Sequence, residues 1–292
     1  MASTRDIRRR IKSVKNTAQI TKAMQMVAAS KMRRAQQTAL AGRPYATLMN
    51  QMLGEVTANS GDFSHPLIEK RTEGKTVLVV VSTDKGLCGG LNTNLLRDAS
   101  KVDVDTTIFV TVGRKASQFV ARTKRELSAE FTYQDIPAFA DARAVSKYLQ
   151  ELYLKGEVKQ VDVLFTNFVS TLTQHPERRT FLPVGEITGL EAGIEGEKSE
   201  AKLEQSALEF QFEPDAADVL GNLLPHYLNY QVYQFLLESK ASEHSARMVA
   251  MKSATDNAEG MIKDLTLEFN KIRQASITNE LLEITSASLA VG

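Results

Sequence analysis

MVAMKSATDNAEGMIKDLTLEFNKIRQAS, residues Met248 to Ser276, places Met248, Met251, Thr255, Ala258, Ile262, Leu265, Phe269, Ile272 and Ser276 in strict 3,4,3,4 alternation. Residues spaced this way line one narrow edge of a helix, so the stretch reads as a coiled-coil seam sustained over four heptads. Thr255, Ala258 and Ser276 are small or polar, which predicts close pairing of less than maximal stability. The seam belongs to a longer helical region, from Ala216 to about Ala290; between Tyr227 and Val291 there is no proline and only one glycine, Gly260. A helix of roughly 65 residues would run about 100 Å at ~1.5 Å per residue. A compact 100-residue unit has a radius of gyration of only ~13 Å, so one domain cannot cover such a helix along its whole length.

A seam needs a partner, and the chain carries a second long helical segment at its other end. Ser3 to Ala41 contains neither Gly nor Pro and is rich in Ala, Lys, Arg, Gln and Met, all good helix formers. Apolar residues fall at Ile7, Ile11, Val14 and Ala18, then resume one step out of phase at Ile20, Met24, Val27 and Lys31. That predicts a narrow stripe with a phase slip. Gly42-Arg43-Pro44 is expected to interrupt the helix, which Tyr45 to Ala58 can resume because proline suits a first turn. Pairing the two ends gives an antiparallel coiled coil within one chain; a parallel homodimer through the C-terminal seam is the alternative.

Between the helices, Lys75 to about Val184 alternates short β-rich runs with helical patterns, which predicts an α/β domain. Strands are expected at Thr76–Ser82, Thr106–Val112, Ser128–Tyr133, Val161–Ser170 and Arg179–Val184, and helices at Leu91–Ser100, Arg114–Thr123 and Asp141–Gly156. Gly185 to Asp215 is weakly periodic and reads as a loop or insertion with some extended structure at Leu208–Phe212. The expected division is a shaft helix over 1–58, a Rossmann-like α/β base domain over 59–215 with an acidic insertion at 186–215, and a second shaft helix over 216–292.

Composition narrows the class. Hydrophobic residues at 42% and charged residues at 24% suit a soluble protein. The longest uncharged apolar run, Thr76 to Val81, falls far below the ~20 residues of a spanning helix. The start shows no secretory signal pattern. One cysteine, Cys88, permits no internal disulfide, so a reducing compartment is expected. The net charge of +1 conceals a strong segregation: ten Lys or Arg against Asp6 over Met1–Ala41, and nine acids against Lys198 and Lys202 over Glu186–Asp215. Such blocks point to oppositely charged partners or to solvated faces.

No motif assembles a reactive site. Asp84-Lys85-Gly86-Leu87-Cys88-Gly89-Gly90 follows a strand and opens a helix, as phosphate-binding loops do, yet it matches neither GxGxxG nor a P-loop ending. A tight turn with Cys88 packed inside is the better account. His65, His175, His226 and His244 are scattered without metal-ligand spacing, and no local nucleophile and base adjoin. A nucleic-acid-binding role for the basic helix would call for interleaved aromatics, and Met1–Ala41 has none. A doubly wound enzyme would leave both long helices unexplained.

Four runs carry a specific resemblance: Ile20–Met32 (ITKAMQMVAASKM), Ser82–Asn92 (STDKGLCGGLN), Ala246–Lys252 (ARMVAMK) and Asn270–Ile284 (NKIRQASITNELLEI). In this order, across the whole chain, they resemble the γ subunits of F-type ATP synthases. The resemblance implies a non-catalytic rotor shaft without a cofactor or metal. Its coiled coil would turn inside a hexamer of three α and three β subunits, and its base would dock on the ε subunit and the c-subunit ring, including through Leu208–Asp215. It implies interface or bracing roles for Met24, Arg247, Arg273, Gln274, Thr278 and Glu280; Arg9, Lys22 and Arg33 are candidate contacts by charge alone. Nucleic acid is not an expected partner. Chloroplast members carry an inserted cysteine pair for redox control, which this chain lacks. The expected location is peripheral, at the cytoplasmic face of a bacterial inner membrane.

Overall fold

The computed structural model describes residues 4–59, 65–184 and 216–291. Its elements are α1 (Thr4–Asn59), β1 (Lys75–Val81), α2 (Leu91–Ser100), β2 (Thr107–Val112), α3 (Arg114–Arg122), β3 (Leu127–Phe131), α4 (Phe139–Leu154), β4 (Val158–Phe168), β5 (Gln174–Leu182) and α5 (Ala216–Val291). The chain divides into two compact units, one formed by residues 1–28 with 248–292 and the other by residues 29–247.

In the second unit, five strands form one sheet in the order β3-β2-β1-β4-β5, parallel except for β5, which returns antiparallel beside β4. Parallel strands need crossovers, and α2, α3 and α4 supply them. β1 is a continuous apolar run because both its faces are covered. Val77, Val79 and Val81 join a core with α4, α5 and the α1 residues Ala46 and Met49, while Leu78 and Val80 pack against α2 and α3 through Leu95, Ala99, Ala116 and Val120. The strand order reverses between β1 and β4. At such switch points open α/β sheets receive ligands, beyond the carboxyl ends of the strands. Here α5 occupies that place: Ser242 Oγ donates to Thr166 O at 3.0 Å, Ser245 Oγ to Thr171 O at 2.7 Å, and Arg247 Nη2 to Gly86 O at 3.2 Å.

The expected break at Gly42-Arg43-Pro44 does not occur, since α1 continues through Pro44 to Asn59. Within this unit Gly42 lies so close to α5 that a Cβ there would sit 2.6 Å from Tyr230 Oη. Tyr230 donates to Gly42 O at 2.8 Å, and its ring lies 5.0 Å from that of Tyr45. Contacts of this kind outweigh the ~3 kcal/mol penalty of an interior proline. The same holds at Pro225 inside α5.

In the first unit, α1 and α5 pair antiparallel. Thr21 Oγ1 and Thr255 Oγ1 meet at 2.7 Å, and the Arg8 guanidinium lies 5.4 Å over the Phe269 ring. On α5, Met251, Thr255 and Ala258 are buried and Ile262, Leu265, Phe269 and Ile272 half-buried, as the heptad reading requires. On α1 the expected phase slip is absent. Burial continues in one register from Ile7 through Ala18 and Thr21 to Ala28, whereas Ile20 and Val27 are 59% and 54% exposed. Small and polar side chains carry the seam because they let the two backbones approach closely, so the apolar pattern misled. The acidic stretch 186–215, including Leu208–Phe212, lies outside the described residues.

Candidate functional site

Antiparallel register dictates where the helix pair must end. Thr21 faces Thr255 and Arg8 lies over Phe269, so Thr4, the first described residue of α1, falls opposite about Ile272. Beyond that point α5 runs on to Val291, about 28 Å of helix at ~1.5 Å per residue. Every residue from Arg273 to Ser286 is exposed. Arg273, Gln274, Thr278 and Glu280 all lie on this single-helix end. Their contacts are local: Thr278 Oγ1 donates to Gln274 O at 2.9 Å and Ser276 Oγ to Glu280 Oε1 at 3.4 Å. Between them stand Ile277, Leu281, Leu282 and Ile284, 50–68% exposed. An apolar set this exposed on one helix marks a surface that a partner covers. The sequence reading missed these four, although the run Ile277–Ile284 continues apolar spacing past the last seam residue.

Met24 is half-buried on α1, and Arg9, Lys22 and Arg33 are exposed. Arg9 makes an exposed ion pair with Asp6 at 3.7 Å, worth at most about 1 kcal/mol.

Arg247 has a different setting, in the sheet-bearing unit. Its side chain is only 12% exposed. One nitrogen, Nη2, reaches Glu243 Oε1 at 2.8 Å, Gly86 O at 3.2 Å and Lys85 O at 3.4 Å, and Nε reaches Gly86 O at 3.4 Å. It therefore clasps the turn after β1, where Leu87 holds a left-handed φ of 63° and projects 60% exposed. Glu243 also takes the ammonium of buried Lys240 at 2.9 Å, and that ammonium lies 4.5 Å over the Tyr133 ring. Burial pushes the Glu243 carboxyl up, but Lys240 and Arg247 together outweigh it and hold the pKa below the ordinary value. Burial also drives the Tyr133 phenol well up. Residues 234–245 of α5 are buried on every side. That removes the periodicity from which burial is read, which is why the Lys240–Glu243 pair escaped the sequence reading.

Cys88 is buried beside this clasp, with Asn92 Nδ2 at 3.2 Å from its sulfur. Burial raises its thiol pKa, an effect that Arg247 partly opposes. Asn92 also binds Thr83 Oγ1 at 2.8 Å and so ties the start of α2 to the end of β1. The turn is a braced corner, as the sequence suggested. Among the described residues no group of three or more His, Cys, Asp or Glu side chains could hold a metal ion, and no helix is long and apolar enough to cross a membrane.

Comparison with known proteins gives a consistent picture. The family described as ATP synthase matches residues 3–291. The chain is 46% identical to the ATP synthase gamma chain of Methylacidiphilum infernorum over the full length of both, and 48% identical to that of Opitutus terrae over 99% of each. Among solved structures, a chain of the Euglena gracilis mitochondrial ATP synthase (OSCP/F1/c-ring, rotational state 3) superposes with a TM-score of 0.65 at 20% identity, covering 99% of this chain and 94% of that one. A chain of the Tetrahymena thermophila mitochondrial ATP synthase central stalk and c-ring gives 0.59 at 24% identity, over 80% and 99%. Those two likenesses concern the fold.

Proposed function

The chain belongs to the ATP synthase gamma chain family, and from that premise we propose how its geometry serves as the central stalk of the rotary enzyme. The observation that carries the reading is the single-helix end of α5. It offers Arg273, Gln274, Thr278 and Glu280 among exposed Ile277, Leu281, Leu282 and Ile284. A slender helix with an apolar collar suits insertion into the axial opening of the hexamer of α and β subunits. There it can turn without displacing a globular domain.

A shaft works on its surroundings only by interacting differently with the states it selects. One asymmetric helix pair inside a threefold ring meets each β subunit through a different face at any instant. Rotation driven by proton flow through the c ring then carries each catalytic subunit in turn through binding, synthesis and release, and ATP hydrolysis reverses the sequence. The contacts must be weak enough to break at every step. Exposed cations such as Arg9 and Lys22 meet that need, at about 0–1 kcal/mol per exposed pair. Met24 and the four polar residues of the α5 end are the contacts assigned to the β subunits, while Arg247 braces the turn at Lys85–Gly86. The division of labour is a shaft at the two chain ends, 1–58 and 216–292, with the intervening 59–215 as the base that meets ε and the c ring.

The chain has no catalytic site of its own, and its place is peripheral, at the cytoplasmic face of a bacterial inner membrane, held there through the ring. Mixing the purified chain with α and β subunits tests the reading. A stable complex with rotation-coupled ATP hydrolysis, and no hydrolysis by the chain alone, is expected; failure to associate, or salt-sensitive binding to DNA instead, would overturn it.

A further inference from the structure

His244 is 2% exposed, and neither of its ring nitrogens has a hydrogen-bond partner. A buried imidazole with both nitrogens unpaired is costly, and the cost depends steeply on its charge. Three elements bring ionised groups to it. α5 contributes Lys240, Glu243 and Arg247; the segment between β3 and α4 contributes Asp135; and Lys31 of α1 lies behind Asp135, paired with it. Tyr133 closes the cluster through its ring contact with Lys240. These groups amount to three cations against two carboxylates. The position therefore already holds an excess of positive charge before the imidazole takes a proton, and it offers no acceptor for the N–H that protonation would add.

We propose that His244 is a proton-sensitive latch: neutral, it lets α5 seat at the carboxyl edge of the sheet, and on protonation it releases that seat. The parts that would let go are within three residues of it. Ser242 and Ser245 tie α5 to the backbone at Thr166 and Thr171, and Arg247 ties it to the turn after β1. Release would free the Leu87 turn and loosen α5 where it leaves the sheet. The inference rests on the buried cluster alone and is independent of the proposed rotary function.

The sign follows from linkage. Desolvation, the largest influence, lowers the His244 pKa from its ordinary 6.5; Glu243 and Asp135 oppose this, and Lys240 and Arg247 reinforce it. A group held neutral in the seated state stabilises that state fully above 6.5. The stabilisation is lost as pH falls from 6.5 toward the lowered value. Within that window the released population rises by up to about tenfold per pH unit, the limit for uptake of one proton.

Two measurements on the full chain test this. The first is titration of ring-labelled histidines by NMR, with His244 assigned by loss of its signal in His244→Gln. The expected midpoint lies below 6.5, and a midpoint at or above 6.5 overturns the proposal. The second is amide hydrogen exchange of residues 238–247 at pH 7.5, 6.5 and 5.5, corrected for intrinsic rates. Protection should fall with pH in the natural chain and stay flat in His244→Gln. Should that variant fail to fold, His244→Phe keeps the ring volume and serves instead. Equal loss of protection in natural and variant chains, or none in the natural chain, would refute the latch. His175→Gln, at a distant position, should leave the natural pH dependence intact.

Discussion

Replacing Glu243 by Gln keeps the shape of the side chain and removes one charge where three ionised groups meet. Lys240 and Glu243 have side chains only 2% and 4% exposed and pair at 2.9 Å, and Glu243 also receives Arg247 at 2.8 Å. A neutral amide leaves the Lys240 ammonium facing only the Tyr133 ring, out of reach of water. Arg247, at 12% exposure, can turn toward solvent. Breaking a buried pair from one side costs about 3–5 kcal/mol, because the remaining charge stays desolvated. For a unit the size of residues 29–247, about 2–4 °C of melting temperature is lost per kcal/mol, so E243Q should melt roughly 6–20 °C lower. Lys240→Met combined with Glu243→Gln removes the stranded charge and should recover more than half of that loss. Thermal denaturation at pH 7.5 followed by circular dichroism reads all three proteins. The Glu243 pKa is depressed, so its stabilisation is present above about 4.5 and lost as pH falls through the depressed value; the gap between natural chain and E243Q should narrow in acid. A loss under 1 kcal/mol in E243Q, or a double variant as unstable as the two single losses added, would refute the assignment of a coupled buried pair.

Other expectations follow from single positions. Gly113 has φ +103°, and a Cβ there would lie 2.2 Å from Ser82 O; Gly113→Ala should cost about 3 kcal/mol or more, read as a lowered denaturant midpoint. Cys88 is buried with a raised thiol pKa, so alkylation by iodoacetamide at pH 7.5 should be at least tenfold slower than for a free cysteine peptide and should reach that rate in denaturant. Deleting Glu280–Gly292 removes a segment whose described side chains are exposed. Stability should then change by less than about 0.5 kcal/mol, while assembly with α and β subunits or the torque delivered weakens; unfolding on deletion would show that the segment belongs to a core.

The sheet-bearing unit was legible in the sequence because its elements obey simple periodicities. α2 matches its expected span, and β2 and α3 lie within one residue of theirs. The heptad on α5 was legible for the same reason, as its large seam residues repeat without interruption. The matching stripe on α1 was not. Its seam runs through Ala18, Thr21 and Ala28, side chains that hydrophobicity does not distinguish from surface, while apolar Ile20 and Val27 face outward. Pro44 likewise signals a break that packing against Tyr230 overrides. Least legible was the middle of α5, where Lys240, Glu243 and His244 are charged or polar by type yet buried by the sheet, α1 and two loops at once. Sequence assigns such residues to solvent, since only the tertiary arrangement supplies their partners. The single-helix end of α5 fell between these cases. Its polar residues were marked by resemblance, but its length follows only from the antiparallel register.

The account stands on the two chain ends lying side by side, and pulsed electron spin resonance measures that directly. Spin labels would be placed at Val14 and Leu265 in a chain whose Cys88 is replaced by Ser. The prediction is one short, narrow distance distribution, set by the ~8–10 Å separation of packed helix axes plus the label arms, and unchanged on dilution with unlabelled chain. Long, scattered distances, or short ones that vanish on dilution, would contradict it.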